Sequence, residues 1–254
     1  MKAVFLHTGK ESEKDTEGLS NWLNNVKKTI DGIKRSDMEV ELRGCSDAIY
    51  PESEVFYWYS HPQIVVDMIK EARKAEREGF DAVIIGCVGQ VEAEYAIKEA
   101  LDIPVIGVGE ACFLLAQVLG TNFSILTYSR KSAAWCDRIL REYKLEDRCV
   151  STRIANVTLD ELFSGEHVKE IYEKMLCQAK KAVEEDRAEV IVSASTGFAG
   201  LADYLRERLD AAIVDATEAG VKIAEMLIDF KQKKNLYQSK AACYQASSDI
   251  AKYM

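Results

Sequence analysis

Asp81-Ala-Val-Ile-Ile-Gly-Cys87-Val-Gly-Gln90, with Ile103-Pro-Val-Ile-Gly-Val-Gly-Glu-Ala111 further on, is a stretch the chain uses twice. Offset by 108 residues it returns as Glu189-Val-Ile-Val-Ser-Ala-Ser195-Thr-Gly-Phe198 and Ala211-Ala-Ile-Val-Asp-Ala-Thr-Glu-Ala219. Gly89 falls on Gly197, Leu101-Asp102 on Leu209-Asp210, and Glu110-Ala111 on Glu218-Ala219. Each copy reads as an apolar strand, a tight polar turn, a helix, a second apolar strand and a second helix. Unbroken Val/Ile strands alternating with helices are the pattern of a parallel sheet covered on both faces. Cys87 and Ser195 stand at equivalent strand ends, and open parallel sheets bind ligands outside those ends.

Upstream of the first copy, residues 3–8 form an apolar strand. Leu19, Trp22, Leu23, Val26 and Ile30 then recur at helical spacing within 16–34. Met38 to Arg43 alternates apolar and charged residues as an edge-side strand does. Residues 45–62 make a long connection rich in aromatics, which either closes over a site as a lid or packs on the core or a second subunit. A helix over 62–79 feeds the first copy.

The chain restarts near residue 122 with a strand ending in Thr127-Tyr128-Ser129. A helix over 130–143, a strand at 149–155 and a helix over 166–185 lead into the second copy. The expected fold is α/β: two pseudo-symmetric lobes, each a parallel sheet flanked by helices, with the active site in the crevice between them. Right-handed crossovers give both lobes the same twist. The lobes span 1–121 and 122–232, and the 215–234 helix can pack back on the first. Residues 233–254 form a C-terminal extension, read as an extra helix or a tail.

The 254 residues carry a formal net charge of −9 with no dense Lys/Arg cluster, which argues against a nucleic-acid partner. No apolar run approaches the roughly 20 residues of a membrane span, so no membrane role is expected. Met1-Lys-Ala-Val-Phe-Leu-His7 is too short for a signal peptide and reads as the first strand. Seven cysteines, odd in number and without CxxC spacing, point away from zinc and disulfides. A reducing, cytoplasmic setting is the expectation.

A lone cysteine is ordinarily a small buried hydrophobe. Cys87 differs: it ends a strand, precedes a glycine turn and is mirrored by Ser195-Thr196-Gly197. Val88-Gly89 is read as opening a helix, whose N–H groups and dipole lower the thiol pKa and favour anions. His61 and His167 read as exposed surface residues. Glu110 and Glu218 read as acids meeting the dipole of the helix each opens.

These motifs, with Phe123-Ser-Ile-Leu-Thr127 and Thr196-Gly-Phe-Ala-Gly-Leu-Ala202, resemble the aspartate/glutamate/hydantoin racemase superfamily, and most its hydantoin-racemase branch. The resemblance covers residues 1–232. It implies a cofactor-independent, metal-free enzyme that moves a proton at a carbon alpha to a carboxylate or hydantoin-like carbonyl. One cysteine deprotonates one face while a second protonates the other. Cys87 matches the first cysteine, and the second falls on Ser195, a far weaker acid near neutral pH. His7, Thr8, Val88, Gly89, Thr127, Tyr128, Thr196 and Gly197 are the implied substrate contacts. The expected partners are a small carboxylate or hydantoin-like substrate and further copies of the chain as a homo-oligomer.

Ser195 keeps other functions open. Related arylmalonate-type decarboxylases work with one cysteine and a tyrosine near the position of Tyr128, so a decarboxylase or lyase using one-sided protonation by Cys87 is the alternative. A small-molecule binding protein on the same scaffold is the third.

Overall fold

The computed structural model describes residues 1–13, 16–46, 54–164 and 167–248. Its first sheet contains β1 (Lys2–Lys10), β2 (Glu39–Cys45), β3 (Ala82–Ile85) and β4 (Val105–Gly107), in the order β2-β1-β3-β4 and all parallel. The second contains β5 (Phe123–Thr127), β6 (Cys149–Ile154), β7 (Val190–Ser193) and β8 (Ala212–Asp215), in the order β6-β5-β7-β8, again all parallel. The expected two-lobed α/β architecture is what forms. The internal repeat survives as register: Ile84 pairs with Ile106, and Val192 with Val214, the same pairing 108 residues on.

Burial explains the strand sequences. β3, β5 and β7 are buried at every position, as strands covered on both faces must be. The edge strands β2 and β6 are mostly half-buried or exposed, which matches the alternation seen from Met38 to Arg43.

The helices are α1 (Glu17–Ile33), α2 (His61–Arg77), α3 (Val91–Ala100), α4 (Val108–Leu119), α5 (Arg130–Tyr143), α6 (Leu159–Ser164), α7 (Val168–Glu184), α8 (Leu201–Arg206) and α9 (Ala216–Lys234). The helix expected over 166–185 is α7, preceded by the separate short α6. His167 lies in the left-handed region with φ 54° and starts α7 on a new path. Residues 165–166 are outside the described chain, as are 47–53 of the aromatic connection and 249–254 of the tail.

The helices that follow the last strand of each sheet cross between lobes. α4 packs on β7 and β8 as well as β4, while α9 packs on α1, β3 and β4. Gly220 permits that approach, because a Cβ there would lie 2.8 Å from Val108 Cγ1 and 3.3 Å from Ile84 Cγ2. One apolar core therefore runs through both lobes, joining Ile84 and Ile106 to Ile125, Val192 and Val214 through Phe113 and Ala219. Neither sheet is free to shift without opening that core.

Two acids stand in the first turns of α4 and α9 as expected, and each also enters an ion pair. Glu110 opens α4, yet its carboxylate takes Lys98 Nζ at 2.6 Å, and Lys98 also holds Glu94 at 2.6 Å. Glu218 pairs with Arg206, and the cap of α9 is Asp215, whose Oδ1 accepts from the N–H groups of Thr217 and Glu218. Described residues beyond α9 form turns with no further helix. Gln238 donates to the Leu101 and Ile103 carbonyls, and Lys240 Nζ to those of Lys98 and Glu99 at the end of α3. A cation there complements the negative helix end.

Candidate active site

Gly86 leaves β3 by donating its N–H to Leu6 O at 2.7 Å, and Ala194 leaves β7 by donating to Leu126 O at 3.2 Å. A side chain at Gly86 would run into the Phe5 ring, so glycine is required where the strand passes that ring. Cys87 and Ser195 come next, both half-buried, and both border one cavity between the lobes. Val88, Tyr128, Thr196 and Gly197 border it too, together with Trp22, Val55, Phe56, Leu159 and Ala194. None of these lining residues carries a charge. The cavity measures about 20 Å³, room for about one water molecule.

The helix-end expectation is corrected after Cys87 and narrows to a single 3-10 turn after Ser195. α3 begins only at Val91, and Val88–Gln90 is an open turn closed by Gln90 N–H to Cys87 O at 3.3 Å. Phe56 covers Gly89, and the backbone of Val88 meets Gly109 in the first turn of α4, so the segment has no room to wind further. After Ser195 comes a 3-10 turn, Thr196–Phe198, and α8 starts past Gly200, which sits at φ 93°. Ser195 caps that turn by accepting from Gly197 N–H at 3.1 Å.

The lobes are tied at this point. Thr196 Oγ1 donates to Gly86 O at 3.1 Å, and Trp22 Nε1 donates to Thr196 O at 2.9 Å, both bonds buried. The backbone N–H groups of Val88 and Thr196 find no acceptor among the described residues, and both residues border the cavity.

Four of the expected contacts lie outside the lining. Thr127 is fully buried and its hydroxyl bonds Ser132 Oγ at 2.7 Å. Gly89 lies beneath the Phe56 ring, and Thr8 is buried in β1. His7 meets Trp22 edge-on at 5.3 Å between ring centroids. Burial lowers the His7 imidazole to about 4 despite the nearby Glu11 carboxylate, so the ring is neutral at pH 7.

Over the cavity, Val55 and Phe56 form a roof anchored to the other lobe. Trp135 Nε1, on α5, donates to Phe56 O at 2.8 Å, and the Trp58 ring stacks on Trp135 at 4.5 Å. Arg138 lies over the Trp135 ring at 4.6 Å and grips Glu92 at 2.7 and 3.1 Å. Glu92 also bonds His61 Nε2 at 3.0 Å, so His61 is a buried part of this clasp and not the surface residue its sequence context suggested. Burial works to raise the Glu92 carboxyl, but the His61 and Arg138 hydrogen bonds outweigh it and hold the group at about 2. The run Phe56 to Tyr59 was the sequence signal for the roof. Trp22 carried none, because its helical spacing looks the same as that of any core residue.

The thiols sort by surroundings. Burial pushes Cys136 to about 12 and lifts Cys112 and Cys149 above the ordinary thiol range. Cys45 is buried and points at His7 O at 3.6 Å. Cys177 and Cys243 are exposed on the outside of the molecule. Cys87 is the cysteine that lines the cavity. Among the described residues no group of three or more His, Cys, Asp or Glu side chains is placed to hold a metal ion, and no helix is long and apolar enough to cross a membrane.

The family model described as Asp/Glu/Hydantoin racemase matches residues 35–224. A hydantoin racemase of Pseudomonas sp. (strain NS671) is 32% identical over 177 residues, which is 69% of this chain and 70% of that protein. A hydantoin racemase of Paenarthrobacter aurescens is 32% identical over 175 residues, 67% of this chain and 73% of its own. Among solved structures, an allantoin racemase from Pseudomonas fluorescens superposes with a TM-score of 0.82 at 25% identity, covering 98% of this chain and 97% of that one. An arylmalonate decarboxylase superposes at 0.61 with 14% identity, covering 90% and 92%, a likeness of fold.

Proposed function

Because the chain belongs to the Asp/Glu/hydantoin racemase family, we propose that it racemises a neutral, hydantoin-like ring at the carbon alpha to a carbonyl, with Cys87 and Ser195 working from the two lobes. One observation carries the reading: Cys87 and Ser195 border the same cavity, and no described residue of that lining is charged. A carboxylate buried there would meet no cation among the described lining residues, and an unpaired buried charge is costly. A cyclic imide brings only amide N–H and C=O groups, which the Val88 and Thr196 N–H groups and the Tyr128 hydroxyl can meet. The same uncharged lining disfavours a malonate-type substrate, and with it the decarboxylase alternative.

In this mechanism the Cys87 thiolate takes the alpha proton, and the electron pair moves onto the adjacent carbonyl oxygen. Backbone N–H groups at the strand ends stabilise the developing oxyanion. Ser195 supplies a proton to the opposite face, the resulting alkoxide steadied by Gly197 N–H, and after product release solvent water returns a proton to Ser195 and takes the one held by Cys87. The hydroxyl is the weaker of the two groups, so inversion through Ser195 limits the rate. The cavity admits a ring only when the Val55–Phe56 roof lifts, which makes roof opening part of the cycle.

Incubation with single enantiomers of 5-substituted hydantoins in D₂O tests the proposal. Deuterium uptake at the alpha carbon with loss of optical rotation is expected. Release of CO₂ from arylmalonates without hydantoin exchange would identify the decarboxylase reading instead.

A further inference from the structure

We propose that Thr196 and Trp22 are positioning residues whose chained hydrogen bonds set the gap between Cys87 and Ser195. Thr196 is the residue after Ser195, and Gly86 is the residue before Cys87. A single side-chain bond, Thr196 Oγ1 to Gly86 O at 3.1 Å, therefore joins the two lobes immediately beside both groups. Trp22, from α1 of the first lobe, fixes the same residue from its other end by donating to Thr196 O at 2.9 Å.

Both anchor points are themselves buried. Gly86 is pressed against Phe5 and bonded to Leu6 O, and Trp22 is buried against His7. Thr196 is held at two points by the opposite lobe, so the turn bearing Ser195 cannot drift from Cys87 without breaking a buried hydrogen bond. The Thr196 hydroxyl, committed to Gly86 O, acts through the backbone beside Cys87. In a two-faced proton transfer, misplacement of one group by about 1 Å costs about 10²-fold in rate.

The inference rests on the reading of Cys87 and Ser195 as paired groups, so its test has one arm that needs no substrate. Thr196→Val removes the donor at nearly constant shape, Thr196→Ser retains it, and Trp22→Phe removes only the indole N–H from the chain of bonds. The first measurement is the rate of Cys87 alkylation by iodoacetamide across pH 6–9, followed by mass spectrometry. Thr196→Val and Trp22→Phe are expected to shift that profile, and Thr196→Ser to restore it. Identical profiles in all four proteins overturn the inference, whatever the substrate proves to be.

The second measurement is racemisation and alpha-deuterium exchange of a 5-substituted hydantoin. Thr196→Val and Trp22→Phe are expected to lower kcat about 10²-fold at unchanged KM, with exchange from one enantiomer outlasting inversion. A rise in KM at constant kcat would make the Thr196 side chain a substrate contact and overturn its positioning role. A wild-type protein inert toward hydantoins would sink the proposed function while leaving the alkylation arm to decide this one.

Discussion

Ser195→Cys places a second thiol across the cavity from Cys87 and asks how much of the chemistry the serine withholds. The Ser195 oxygen accepts one hydrogen bond, from Gly197 N–H at 3.1 Å, and no base among the described residues takes its proton. Its hydroxyl thus stays a poor acid and a poorer base. A thiol has an ordinary pKa of about 8.5, so about a tenth is ionised at pH 7.5. The Gly197 N–H, aimed at the same atom, favours the thiolate further. Well-placed general acid–base catalysis is worth about 10²–10⁴-fold, and the variant should gain racemisation in that range. The assay is polarimetry on each enantiomer of a 5-substituted hydantoin, with alpha-deuterium uptake measured in parallel. Cys87→Ala in the variant background should abolish both signals. Wild-type racemisation as fast as that of Ser195→Cys would refute the reasoning, because Ser195 would then be either activated or only a substrate contact.

Limited iodoacetamide treatment should label Cys87 ahead of Cys112 and Cys136, whose thiols burial holds protonated; peptide mapping reads the order, and early labelling of either buried thiol would contradict it. Trp135→Phe removes the donor to Phe56 O, leaving a bond worth about 1 kcal/mol unmade and loosening the roof, so Cys87 alkylation should accelerate; an unchanged rate would mean the roof does not gate the cavity. Asp215 is raised to about 7, chiefly by burial, so between its ordinary 3.8 and about 7 the folded chain keeps a proton the unfolded chain releases. Its contribution to stability is full below that window and is lost as pH rises through it, at up to about 1.4 kcal/mol per pH unit. Asp215→Asn keeps the Oδ1 cap on Thr217 and Glu218 and should flatten that decline in urea melts at pH 4 to 8; an undiminished slope would place the proton elsewhere.

The two-lobed fold was legible because strand burial is written locally. A strand covered on both faces must be apolar at every position, and Ala82–Ile85 and Val190–Ser193 show that without reference to any partner. The repeat then located Cys87 and Ser195, since a repeated topology brings equivalent strand ends to equivalent places. Other features depended on contacts between residues far apart in the chain. Trp22 has the spacing of a core residue, and only the packed structure aims its N–H at Thr196, 174 positions away. His61 has a polar sequence neighbourhood and is buried because Trp135 and Glu92 arrive from other elements. Thr127 and His7 were read as substrate contacts, yet both side chains lie behind the lining. The turn after Cys87 was expected to open a helix, yet Phe56 covers Gly89 and α3 begins only at Val91; after Ser195 the chain winds a single 3-10 turn. Local periodicity determines which residues a strand or helix buries. Which hydrogen-bonding atoms meet at a junction between lobes is decided only when the two sheets close on their shared core.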